Sequence, residues 1–245
     1  MHNMTAITVH NLSKSFRRYE KAESFITFLK KHWFRSLPFD TIQVLDDISF
    51  TLEPGSRLGV VGHNGSGKST LLKIIARLYK ETSGTIHING TVASFLQLGI
   101  GLERDLNVLD NIYLFGAIMG ITRKRIEQHI DSVIAFAEIE PYLYIPLRNL
   151  SEGNKQRLAF SIVHFVDADI VILDEMLSAS DIHFRNKCYQ FLSQPFYASK
   201  TLVLATHNIS LMERFCTHLL LLDHGHQKAF GPTAEVLPLY LKSCE

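Results

Sequence analysis

Between Gly62 and Thr70 the chain reads Gly-His-Asn-Gly-Ser-Gly-Lys-Ser-Thr, the spacing G-x-x-x-x-G-K followed by two hydroxyls. Gly62, Gly65 and Gly67 let a loop that also contains His63, Asn64 and Ser66 turn its backbone N–H groups inward. Phosphate oxygens are cradled in this way where a strand passes into a helix. Lys68 is placed to reach the terminal phosphates of a nucleotide, and the Ser69 hydroxyl, next to Thr70, to ligate Mg²⁺. A loop of this kind is shared by kinases, GTPases, helicases and transport ATPases, so it leaves the reaction open.

About a hundred residues on, Ile170-Val171-Ile172-Leu173 runs into Asp174-Glu175. An apolar strand ending in a carboxylate puts Asp174 where it can hold Mg²⁺, and the adjacent Glu175 is the candidate to polarise an attacking water. Ala205-Thr206-His207-Asn208 closes another short apolar run.

These groups need a scaffold. The 245 residues are 46% hydrophobic and 20% charged, with formal net charge +1. That suits one large domain with a proper core and argues against coating nucleic acid by bulk charge. Cys188, Cys216 and Cys244 are odd in number and far apart, against a disulfide framework or a zinc site. No signal segment or spanning run is legible, so the chain reads as soluble, with any membrane work left to a partner. Ile7 to Leu12, Val44 to Leu52, Thr85 to Ile88 and Val92 to Leu96 read as strands. Leu58 to Val61, Ile170 to Leu173, Leu202 to Ala205 and Leu219 to Leu222 are short and fully apolar, as buried parallel strands are. From about Val108 to Phe165 the period turns helical, through Ile126, Ile130, Val133 and Ile134 and again through Leu158, Ile162 and Phe165. The reading is an α/β sheet core interrupted by a helical insert.

Leu150-Ser151-Glu152-Gly153-Asn154-Lys155-Gln156-Arg157 resembles the signature of ABC ATPases, usually L-S-G-G-Q, with Glu152 and Asn154 in place of Gly and Gln. The resemblance implies a P-loop NTPase of the ABC ATPase type: a RecA-like sheet core, an N-terminal β layer and a helical subdomain at about 98–166. It also implies ATP and Mg²⁺ as cofactors. The Ser151 hydroxyl and the Gly153 N–H would meet the γ-phosphate held by a second copy of the chain. Ser178-Ala179-Ser180-Asp181 is similar to the loop through which paired domains sense each other, which places Asp181 near the shared nucleotide. His207 falls on the family's switch histidine, in contact with the γ-phosphate and the catalytic water. Gln97 falls on the glutamine that meets Mg²⁺ and the transport partner. Phe16, or Tyr19 in its stead, falls on the aromatic that stacks on adenine.

Leu96-Gln97-Leu98-Gly99-Ile100-Gly101-Leu102, with Asp110-Asn111-Ile112 beyond it, looks like the "L-E-L-G-A-G-F … E-N-I" run of polysaccharide exporters. Asp174 to Asp181 with Phe184, Lys187 and Cys188 is similar to their "D-E-V-L-A-V-G-D … F-x-x-K-C". Gln97 stands where many members have glutamate, and Ser180 where they have glycine. The resemblance implies a homodimer on the cytoplasmic face of the inner membrane. Its partner would be an integral permease, two copies expected, through which a lipid-linked polysaccharide passes, O-antigen first and teichoic acid or capsule as alternatives. No nucleic-acid partner is expected, nor a carbohydrate-binding domain after Glu245. A non-transport ABC ATPase is the first rival; no heptad run separates Lys68 from Ser151, against a chromosome-maintenance coiled coil. A regulatory subunit that binds ATP without turnover is the second, and Glu175 with His207 speaks against it.

One interval stands apart. At about 17–40, Ala22, Phe25, Ile26, Leu29 and Trp33 fall on one helical stripe. From Arg17 to Arg35, Arg17, Arg18, Lys21, Lys30, Lys31 and Arg35 outnumber Glu20 and Glu23. The interval reads as an inserted basic amphipathic helix suited to a membrane interface or a groove in the permease. O-antigen exporters carry such an insertion, thought to gate entry of the lipid-linked chain.

Overall fold

Two-residue alternation in the parallel strands organises the structure, a computed structural model that describes residues 5–19, 39–96, 101–162, 167–174, 181–194, 197 and 199–243. The strands are β1 (Ile7–Tyr19), β2 (Phe39–Leu52), β3 (Arg57–Val61), β4 (Ser83–Ile88), β5 (Val92–Phe95), β6 (Ile170–Asp174), β7 (Thr201–Ala205), β8 (His218–Asp223) and β9 (His226–Pro232). They lie in the order β4-β1-β2-β9-β8-β3-β7-β6-β5. β1 pairs antiparallel with both β2 and β4, which makes the β layer. β8, β3, β7, β6 and β5 run parallel, as their apolar composition requires of strands covered on both faces.

Alternate residues feed two cores. Leu58, Val60, Ile170, Ile172, Val203, Ala205, Leu220 and Leu222 face the β layer and helix α1 (Lys68–Ile75), where they meet Ile7, Leu12, Ile48, Leu71 and Leu72. Val171, Leu173, Leu202, Leu204, Leu219 and Leu221 face the other way. On that side lie α2 (Val108–Ile118), α3 (Arg123–Ala137), α4 (Glu152–Ser161), α5 (Ile182–Leu192), α6 (Ile209–Phe215) and α7 (Thr233–Ser243). Helices α2 to α4, joined through 3₁₀ turns at Glu140–Tyr142 and Leu147–Asn149, are the helical insert expected from the period.

Polar caps cut these helices. Asn107, Thr122, Ser151, Asp181 and Asn208 each accept a hydrogen bond from an N–H in the first turn of α2, α3, α4, α5 and α6. Asn111 is wholly buried, and its amide ties together the loop ahead of α2. It donates to the carbonyls of Glu103, Leu106 and Asn107 and accepts from the Glu103 N–H.

The interval expected to be helical at 17–40 is narrower than its limits. Arg17 pairs with Thr41, Arg18 with Asp40 and Tyr19 with Phe39, so both ends continue the antiparallel ladder. The apolar stripe from Ala22 to Trp33 lies outside the described residues, as does Phe165.

Candidate nucleotide site

The chain leaves β3 at Val61 and turns through backbone conformations that only glycine adopts easily. Gly62 has φ +145°, and a Cβ there would stand 2.0 Å from the Leu222 carbonyl oxygen. Gly67 has φ +102°, and its Cβ would stand 2.6 Å from Leu45 Cδ2. The loop is thereby pressed between β8 and β2. Gly65 differs: at φ +82° its missing Cβ would point into open space.

Gly67 is the N-cap of α1 and brings no capping side chain, so the first-turn N–H groups keep their capacity for an anion. Lys68 is 8% exposed, and its ammonium donates to the carbonyls of Gly62 (2.7 Å) and His63 (2.9 Å). The Ser66 hydroxyl is buried without a hydrogen-bond partner among the described residues.

Tertiary structure brings in the other groups. β3, β7 and β6 are neighbours, and Asp174, last in β6, is paired with Ala205, last in β7. Their carboxyl ends open on the loop, the place where α/β sheets bind ligands. Val44, Asn64, Gly65, Gly67, Lys68, Ser69, Thr70, Asp174 and His207 line one pocket of about 250 Å³. A second pocket adjoins it, about 350 Å³, lined by Gly62, His63, Asn64, His207 and Tyr240. Helix α7 closes over this side: the Tyr240 hydroxyl lies 3.3 Å from His207 Nδ1, and His63 Nε2 lies 3.1 Å from the Ser243 carbonyl.

Other expected residues are not gathered here. Ser151 caps α4, its Oγ accepting from the Asn154 N–H at 3.2 Å, and Gly153 follows in the first turn; the pocket takes no residue from α4. Asp181 caps α5 instead of facing the pocket. Its carboxylate accepts from the Phe184 N–H (2.8 Å) and from Arg157, which hold its pKa down at about 2. Arg157 also meets Glu138 (2.6 Å), which Lys187 meets from α5 (2.7 Å). The Lys187 bond leads in holding the Glu138 pKa below the usual carboxylate range. The helix of the signature is thus tied to the start of α5 by ion pairs. Phe16 sits on β1, its ring edge-on to Tyr79 at 5.5 Å and under the Lys14 ammonium at 4.8 Å, and it is absent from the pocket's lining. Glu175, Gln97 and the segment Ser178 to Ser180 lie outside the described residues, and the Tyr19 side chain with them.

Sequence reasoning missed Val44 and gave Tyr240 no role at the site. Neither carries a local signature, since both reach the loop only through packing.

The ABC transporter family matches residues 45–178, more than half of the chain. The chain belongs to the ABC transporter family. It is 36% identical over 244 residues to the O-antigen export system ATP-binding protein RfbB of Myxococcus xanthus, covering 97% of this chain and 56% of that protein. The RfbB of Klebsiella pneumoniae is 32% identical over 237 residues, covering 96% of both. The teichoic acids export ATP-binding protein TagH of Bacillus anthracis is 35% identical over 234 residues, covering 96% of this chain and 42% of that one. The chain therefore spans about half the length of some curated relatives and nearly all of others. In fold it is similar to the dimeric ATP-binding cassette MJ0796 in a post-hydrolysis state bound to ADP and Pi, with TM-score 0.73, 21% identity and coverage of 93% and 98%. The ABC ATPase fold read from the sequence is the fold observed.

Proposed function

We propose that the chain is the ATP-hydrolysing subunit of an exporter that moves a lipid-linked polysaccharide, O-antigen by its relatives, across the cytoplasmic membrane. One observation carries the ATPase reading: Lys68, Ser69, Asp174 and His207, from separate parts of the sequence, line a single pocket. Gly65 and Gly67 in the lining, and the first-turn N–H groups of α1 left without a capping side chain, fit an anionic ligand there. Ser69 and Asp174 would hold Mg²⁺, hard oxygen donors that supplement phosphate oxygens. Bound Mg²⁺ supplies charge neutralisation at the phosphates.

The chain's own groups divide the remaining work. The loop N–H groups and Lys68 fix the phosphates, with the ammonium exchanging the Gly62 and His63 carbonyls for phosphate oxygens. His207 meets the γ-phosphate edge, and Glu175, next after Asp174, orients and deprotonates the attacking water. Ser151 and Gly153, standing on α4 outside the pocket, complete the site of a second copy, so turnover belongs to a dimer. Among the described residues no helix is long and apolar enough to cross a membrane. The membrane crossing is assigned to a separate permease, as the export relatives suggest.

Glu175→Gln should keep ATP binding, lose most phosphate release and trap a closed dimer, whereas Lys68→Ala should weaken ATP binding itself. Phosphate release by Glu175→Gln at the wild-type rate would remove the assigned base. A wild-type chain that binds ATP and releases no phosphate would make it a regulatory subunit.

A further inference from the structure

We propose that Tyr240 is a positioning residue for hydrolysis, fixing the tautomer and orientation of His207. Tyr240 lies on α7, beyond the family match, and is 6% exposed. Its helix is anchored independently of the nucleotide site. Val236 and Leu237 are buried in the core, the Thr233 hydroxyl donates to the Cys216 carbonyl at 2.7 Å, and the Thr233 N–H donates to the Thr217 carbonyl. The far end of α7 meets the phosphate loop, the Ser243 carbonyl accepting from His63 Nε2. The phenol is thus held on a helix packed into the core at Val236 and Leu237 and joined to the phosphate loop at Ser243.

His207 is exposed, at the end of a strand, and it lines both the phosphate pocket and the pocket beneath Tyr240. A neutral imidazole carries its proton on one ring nitrogen or the other, and the partner of one nitrogen decides which. A phenolic O–H donating to Nδ1 leaves the proton on Nε2, on the opposite edge of the ring. His207 then presents an N–H donor to an anion in the phosphate pocket, preset before the nucleotide arrives. The other tautomer would turn a lone pair toward the phosphate and repel it.

This rests on His207 as the γ-phosphate contact, so His207→Ala is measured alongside. Tyr240→Phe keeps the buried ring and removes only the hydroxyl. It should lower kcat about tenfold, the scale of one lost orienting hydrogen bond, with KM for ATP changed less than about twofold. In ¹⁵N-histidine NMR of the nucleotide-free protein, the His207 signal, assigned by its loss in His207→Ala, should show the Nε2–H form. In Tyr240→Phe it should become a mixture. Full turnover in His207→Ala would overturn the role of His207 itself. An inactive His207→Ala beside a fully active Tyr240→Phe would overturn the tyrosine proposal alone. An Nδ1–H tautomer in the wild type would overturn it whatever the folding of the variant.

Discussion

Gly62 and Gly65 lie three positions apart in one loop, and the structure expects opposite consequences from the same added methyl. At Gly62 an alanine must hold φ near +145° and place Cβ 2.0 Å from a backbone oxygen of β8, which cannot rotate aside. Backbone strain and overpacking together cost about 4 kcal/mol, which for a chain of this size lowers Tm by roughly 8–16 °C. At Gly65 the conformation costs about 1 kcal/mol, or roughly 2–4 °C, because nothing lies within 4 Å of the new Cβ. Gly65 also lines the pocket, so we expect the methyl to crowd bound phosphate and weaken nucleotide binding at least ~10-fold, about 1.4 kcal/mol. Gly120→Ala is the control: φ is +73°, nothing lies within 4 Å, and the residue is absent from the pocket's lining. It should repeat the small Tm loss of Gly65→Ala and leave binding alone. Circular-dichroism melts without nucleotide, then with increasing ATP and Mg²⁺, read both quantities. Gly62→Ala melting within about 2 °C of wild type would refute the steric argument. Gly65→Ala binding nucleotide as tightly as Gly120→Ala would refute the cradle.

The remaining expectations concern other parts of the chain. Asp181 has its pKa depressed to about 2 in the fold, so its contribution is present above the ordinary carboxylate value of about 4 and is lost as pH falls through 2. Asp181→Asn should flatten the fall of Tm over that window, and an unchanged slope would remove the capping and Arg157 contacts as its cause. If Ser151 acts on the partner's nucleotide, Ser151→Arg should abolish phosphate release while the isolated subunit still binds ATP. Mixing it with Lys68→Ala should then rebuild at most one working site per heterodimer, and a rate per subunit independent of concentration counts against the shared site. Because Tyr19 and Phe39 are paired across the hairpin, a short Gly-Ser linker can replace Glu20 to Leu37. That variant should hydrolyse ATP normally and fail to export polymer in cells, and intact export would dismiss a gating role for the interval.

Much of this protein was legible before its structure because its chemistry is written in contiguous runs. The phosphate loop, the strand ending at Asp174 and the capped helix opening at Ser151 are each local, since a strand end or helix start is fixed by neighbours in sequence. The unbroken apolar runs of β6, β7 and β8 announced two covered faces, and the spacing of Ile126, Ile130, Val133 and Ile134 announced α3. Weak local patterns hid the rest. β9 carries mixed polar residues and ends in Gly231-Pro232, and α7 holds Pro238 in its interior, so neither shows a clean period. The ladder from Arg17 to Tyr19 reads as helix in sequence because its partners, Thr41 back to Phe39, lie beyond a long interval. The sequence alone could supply the reactive groups and their order along the chain. Only the tertiary structure decided that His207 and Asp174 end on neighbouring strands above Lys68, that Tyr240 reaches back to His207, and that Asp181 is held by Arg157. Those contacts join residues far apart in the chain, and they exist because sheet order and helix packing bring their backbones together.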